Sequence, residues 1–261
     1  MDDLLFLIPA LPLAGFLLLV FFGRRIGEPG AGWLATLAVG GSFLATLAVF
    51  ADLVSLDAEE RALTQTLFDW LPVGGLEVSM GFLADPLSVA MCLFVTGIAT
   101  LIHLYAIGYM HGDPKFSKFF VYLNLFVFSM LMLVLGDNML ITFLGWEGVG
   151  ACSYFLISFW FGDEANASAG KKAFVTNRIG DFGFMIAMFF TFGALGTLSY
   201  EGIVAASPAL ATSTATAIAA MLFLGACGKS AQLPLFVWLP DAMAGPIPVS
   251  ALIHAATMVV A

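Results

Sequence analysis

Apolar residues in this chain fall into long runs rather than the short alternations of a water-soluble domain. Seven runs stand out: Leu4 to Phe22, Ala31 to Phe50, Phe82 to Ile107, Phe119 to Leu135, Met139 to Phe161, Ile179 to Leu198 and Ala209 to Ala226. Each comes near the roughly 20 residues a helix needs to cross about 30 Å of hydrocarbon. An eighth begins near Val249 and is still apolar at Ala261, so the sequence reads as the N-terminal fragment of a longer protein. The expected fold is an all-α membrane protein, a transmembrane bundle of about eight helices. The one long interruption, residues 51–81, mixes acids with Phe68, Trp70, Pro72, Gly74 and Gly75. Its pieces "FDWLPV" and "LEVSM" read as strands of a short extracellular hairpin around a Gly-Gly turn, with Trp70 suited to a membrane interface.

Composition agrees. The chain is 61% hydrophobic and only 10% charged, whereas about a quarter of residues are charged in soluble globular domains. The first run opens with Asp2 and Asp3 instead of a basic segment, so it reads as a helix and not as a secretory signal. Cys92, Cys152 and Cys227 lie singly in apolar runs, without the spacing that would hold a metal or an iron–sulfur centre. Neither G-x-G-x-x-G, a P-loop nor H-E-x-x-H occurs, so no redox cofactor is expected on this chain.

The net charge of −9 becomes informative once the charges are placed. Loops after the first, third and fifth runs hold Arg24, Arg25, Lys115, Lys118, Lys171, Lys172 and Arg178, seven of the nine basic residues. The opposite loops hold Arg61 among Asp52, Asp57, Glu59, Glu60, Asp69 and Glu77. Basic residues bias cytoplasmic loops, which predicts an N-terminus outside and Arg24 inside.

The ninth basic residue, Lys229, lies in membrane sequence. Charged groups at that depth cost roughly 2.5–3.5 kcal/mol on insertion scales and are functional candidates by default. Glu147, in "TFLGWEGVGACSYFL", is expected near mid-bilayer. Arg178 and Asp181, in "VTNRIGDFGF", are three residues apart and share a helix face at the cytoplasmic start of the sixth span. His254 is about five residues into the eighth. The segment "GKSAQLPLFVWLPDAMAGPIPVS" carries Pro234, Pro240, Pro246 and Pro248, so a regular helix cannot run through it. Broken helices at membrane depth are tolerated where they are buried in protein or line a hydrated cavity, and in transporters they mark an ion's route. Water, freed carbonyls, Ser230 and Gln232 are the partners expected for Lys229.

Plainer readings exist for each residue. Glu147 could stay neutral and hydrogen-bond a neighbouring helix, Arg178 and Asp181 could form an inert interfacial pair, and Lys229 could snorkel from a helix end. His103 reads as a bonded core residue, and His111, in a polar turn, is assigned no role. Against these stands a relay. With an effective dielectric of about 20, moving an opposite charge from roughly 5 to 8 Å lowers the attraction from about 3.3 to 2.1 kcal/mol. A small rearrangement between Glu147 and Lys229 would load or release a proton, with His254 as the next acceptor.

The stretches "FLGWEGVGACSYFLI", "KKAFVTNRIGDFGF" and "GKSAQLPLFVWLPDAMAGPIPVSALIHAATM" closely resemble the subunit L (chain 5) family of proton-translocating NADH:quinone oxidoreductase, respiratory complex I. That family belongs to a wider set of antiporter-like subunits shared with multisubunit cation/proton antiporters. The resemblance implies an N-terminal region over 1–130 and the start of a proton-conducting antiporter-like domain over 131–261. It places the central carboxylate on Glu147, the broken-helix lysine on Lys229 and the relay histidine on His254, with Arg178 and Asp181 tuning them. Ala244 and Ile247 depart from the more usual "DAMEGPTP". The resemblance further implies NADH, FMN, iron–sulfur clusters and quinone on other subunits of the complex. The expected partners are other membrane subunits and the lipid bilayer, with no nucleic acid, and the expected location is a bacterial inner membrane. A redox-free antiporter subunit and a structural scaffold are the competing readings.

Overall fold

The structure, a computed structural model, describes residues 4–259. The acidic pair Asp2 and Asp3, and Ala261, lie outside them. Among the described residues six helices are long and apolar enough to cross a membrane: α1 (Leu7–Ile26), α2 (Gly30–Ser55), α3 (Pro86–Tyr109), α4 (Phe116–Leu135), α5 (Met139–Ile157) and α6 (Glu164–Leu195). A short α7 (Tyr200–Ala206) leads to α8 (Thr212–Lys229) and, after a broken stretch, to α9 (Ile247–Ala251). The protein is therefore a multi-pass helical membrane bundle.

Three expected boundaries move. The third span starts at Pro86 rather than Phe82, because Phe82 belongs to a strand and Asp85 forms a capping box with Ser88 just ahead of Pro86. The seventh run does form a helix, α8, but its Thr/Ser-rich first turns and terminal Lys229 keep it out of the six. The sixth span begins at Glu164, not Ile179, with Asp163 accepting from the Ala165 amide as its cap. At 32 residues α6 is about 48 Å long, so its first turns, bearing Lys171 and Lys172, extend past the hydrocarbon. Arg178 and Asp181 consequently lie mid-helix instead of at its basic end, and Arg178 leaves the set of loop charges.

The interruption is the expected hairpin. β1 (Leu63–Val73) pairs antiparallel with β2 (Leu76–Ala84), Val73 opposite Leu76, and Gly74 supplies the positive φ of 64° at the turn. Isolated bridges join Phe82 to Gly136 and Asn138 to Ser199, so the hairpin, the α4–α5 turn and the start of α7 share one end of the bundle. Asn138 fixes that end by accepting from the Leu140 and Ile141 amides as the cap of α5.

Small residues let the helices touch. A Cβ on Gly145 would strike the Leu133 backbone of α4, and Gly180 of α6 lies against Gly228 of α8, where an added Cβ would come 3.0 Å from its Cα. Where lipid is as apolar as leucine, such close backbone approach is what holds helices together. It also sets α8 against the middle of α6.

Candidate functional site

The α5–α6–α8 contact brings four ionisable side chains together at membrane depth. Glu147 is the ninth of the 19 residues of α5, and its Oε2 pairs with the Arg178 guanidinium of α6. Arg178 Nε is also 3.8 Å from Asp181 Oδ2, one helix turn on. Asp181 Oδ1 in turn faces Lys229 Nζ at 3.7 Å from the last residue of α8. The chain of charges runs Glu147, Arg178, Asp181, Lys229. Glu147 and Lys229, expected to lie near each other, form no ion pair: each has its own counter-charge on α6, because the mid-helix position of Arg178 and Asp181 provides one for both.

Lys229 and Asp181 are both only 2% exposed. The lysine is cupped by α5: its Nζ lies 5.7 Å from the Trp146 ring centre, and an added Cβ on Gly150 would come within 2.6 Å of that nitrogen. Neither Ser230 nor Gln232 bonds it, contrary to expectation, and Nζ has no hydrogen-bond partner among the described residues. The helix does break where the prolines require. Ala231 takes φ 48°, and short 3-10 turns at Phe236–Trp238 and Asp241–Ala244 replace the helix. The freed Gly228 carbonyl accepts from the Trp238 indole at 3.0 Å, and the Cys227 carbonyl from the Gln232 amide at 2.9 Å. Lys172 pairs with Asp241 at 2.7 Å and ties the broken stretch to the basic end of α6.

His254 sits in a π-helical turn, Leu252–Ala256, with its ring stacked on Trp238 at 6.3 Å. Neither ring nitrogen has a partner among the described residues, and no hydrogen bond links it directly to the four charges. Glu147 Oε1 and Asn177 Oδ1 are likewise buried without one. Buried polar atoms rarely stay unsatisfied, and these belong to α5, α6, the end of α8 and the turn that carries His254.

Trp146 escaped notice in the sequence. Its Nε1 donates to Asp181 Oδ1 at 2.6 Å while its ring packs on Phe184. With Met139, Met188 and Leu198 these rings form an apolar cluster on the hairpin side of the charges. The only hint was that Trp146 precedes Glu147. His103 is, as expected, a bonded core residue: its Nδ1 meets the Ala99 carbonyl at 2.8 Å and its Nε2 the Asn124 amide at 3.4 Å. His111 pairs with Glu28 at the basic end.

Comparison with known proteins bears on the family of the chain. The family profile described as NADH:quinone oxidoreductase/Mrp antiporter, TM, matches residues 136–261, and that for the NADH-ubiquinone oxidoreductase (complex I) chain 5 N-terminus matches residues 70–120. NADH-quinone oxidoreductase subunit L of Mycobacterium tuberculosis is 51% identical over 98% of this chain and 40% of its own length. The Escherichia coli subunit L is 46% identical over 96% of this chain and 41% of its own length. The chain thus spans about two fifths of the curated relatives it matches. Among solved structures, the Mrp complex from Dietzia sp. superposes with a TM-score of 0.85 at 28% identity, over 98% of this chain and 27% of that one.

Proposed function

Because the chain belongs to the antiporter-like membrane family of NADH:quinone oxidoreductase and the Mrp antiporters, on the subunit L (chain 5) side, we propose that it moves protons for a redox-driven complex. The observation that carries this reading is the line of four alternating charges at mid-membrane, ending on a lysine at a helix break. NADH oxidation and quinone reduction belong to other subunits in this reading, which also hold the FMN and iron–sulfur clusters. The partners are the neighbouring membrane subunits. Residues 1–130 form the N-terminal region and 131–261 begin the proton-conducting domain. Bacterial relatives and the basic loops support a bacterial inner membrane with the Arg24 end inside.

In the proposed mechanism Lys229 carries the proton. Held 3.7 Å from Asp181 at an effective dielectric of about 20, it is attracted by about 4.5 kcal/mol, which falls to about 2 kcal/mol at 8 Å. Pulling Arg178 toward Glu147 or toward Asp181 changes what Asp181 offers Lys229, so the α5–α6 pair sets the grip on the lysine. Water among the unpartnered atoms hands the proton from Lys229 to His254. Trp146 positions Asp181 and is not itself a proton carrier.

A cation/proton antiporter subunit without redox coupling is the second reading, favoured by the likeness to the Mrp complex. Purifying the native assembly through a tag on the full-length protein separates the two. Flavin and iron–sulfur absorbance in stoichiometric yield supports the redox-driven pump, and their absence from an intact assembly supports the antiporter.

A further inference from the structure

At the basic end of the bundle, residues of α1 and α4 line a cleft of about 650 Å³. Its wall carries Arg24 from the last turn of α1, and Lys115 and Lys118 from the start of α4. Among the described residues none of these three has a carboxylate within ion-pair distance. The lysines lie over aromatic faces instead, Lys115 at 3.9 Å from the Phe161 centroid and Lys118 at 5.5 Å from that of Tyr122. Aromatic faces attract a cation without cancelling its charge.

The two acids that line the cleft are already engaged. Glu28 accepts from the Gly112 amide at 3.1 Å and pairs with His111. Asp113 accepts from the Lys115 amide at 2.7 Å and from the Trp160 indole at 3.0 Å. Below the charges the lining turns apolar, with Leu19, Val20 and Val121. Ser117 Oγ donates to the Gly23 carbonyl at 2.9 Å and fastens the two helices at this level. A cleft thus sets three cations without an ion-pair partner, outnumbering two hydrogen-bonded carboxylates, above an apolar slot at the end of membrane-spanning helices.

From this we infer that the cleft binds one anionic phospholipid, its phosphate between Arg24, Lys115 and Lys118 and an acyl chain along Leu19, Val20 and Val121. Basic pockets between membrane helices suit acidic headgroups. An inorganic phosphate would satisfy the cations but leave the apolar slot unused, and a zwitterionic lipid would bring its own ammonium against them. The site stands apart from the buried charges of α5, α6 and α8, and needs no assumption about proton transfer.

The test places the intact complex with the full-length chain in lipid nanodiscs containing a photoactivatable phosphatidylglycerol, and maps the cross-linked peptides. Labelling is expected within residues 19–28 and 113–122, competed by unlabelled phosphatidylglycerol and not by phosphatidylcholine or inorganic phosphate. Each cation is worth about 1 kcal/mol, so K118Q should weaken labelling about fivefold and R24Q/K115Q/K118Q about 100-fold. K118Q alters one exposed side chain and remains informative if the triple variant does not assemble. The inference is overturned by equal labelling from a phosphatidylcholine probe, by displacement with inorganic phosphate alone, or by labelling unchanged in K118Q.

Discussion

Lys229 Nζ and Trp146 Nε1 converge on one atom, Asp181 Oδ1, at 3.7 and 2.6 Å respectively. The indole is a fixed hydrogen-bond donor held by its packing on Phe184, while the lysine, at a helix end, is a charge partner without a hydrogen bond. Asp181 therefore keeps a hydrogen bond when Lys229 withdraws, which allows the lysine to move without stranding a bare carboxylate.

Removing the acid should be costly. Deleting one partner of a buried ion pair leaves an uncompensated charge and destabilises by about 3–5 kcal/mol. Asp181→Asn is expected to lower the thermal stability of the assembled complex by an amount of that order. Adding Lys229→Met should restore most of the stability and leave proton transfer impaired. Recovery of both together would mean that the pair serves packing alone.

Trp146→Phe keeps a six-membered aromatic ring beside Phe184 and Lys229 and removes the indole N–H together with its pyrrole ring. Hydrogen bonds to charged groups contribute about 1.5–3 kcal/mol. The variant should assemble normally and pump several-fold more slowly, measured as proton uptake by reconstituted vesicles. Wild-type rates would show that the indole bond is incidental.

Two glycines on α5 should respond differently. At Gly145 an added methyl meets the Leu133 backbone, which cannot yield without parting α4 from α5, so Gly145→Ala is expected to block assembly. At Gly150 the obstacle is the Lys229 Nζ, the movable tip of a side chain. Gly150→Ala should assemble, with a helix favoured by about 0.5–1 kcal/mol over glycine, yet transfer protons poorly. Assembly yield beside pumping rate distinguishes the two.

How much of this was legible in sequence depended on whether the signal was local. The crossings could be read because twenty consecutive apolar residues have few other uses, and Glu147 and Lys229 because a charge in such a run is conspicuous. The hairpin followed from its Gly-Gly turn. The start of α6 at Glu164 was hidden because its first turns are polar and stand outside the lipid, where hydropathy carries no information about helix. The partnering of Glu147 with Arg178 was hidden too, since it depends on how α5 and α6 rotate against each other. Trp146 looked like any other aromatic residue in an apolar run.

Asp137 gives a pH test at the hairpin end. It lies in the turn between α4 and α5, and burial pushes its carboxyl above the usual range despite the Asn138 side-chain bond. A carboxyl whose folded pKa is raised binds its proton more tightly folded than unfolded, so its contribution favours folding at low pH and is lost as pH rises through the folded value. Asp137→Asn, still able to accept from Asn138, should therefore gain stability relative to the parent as pH rises above the usual carboxylate value of about 4. A difference that is flat with pH would remove Asp137 as the source.

The proposed proton role of the buried charges is tested most directly by the number of protons moved per NADH oxidised in sealed vesicles containing the intact complex with Lys229→Ala. The expected result is a lowered ratio, with the complex fully assembled and electron transfer to quinone still measurable. An unchanged ratio in that assembled variant would contradict it.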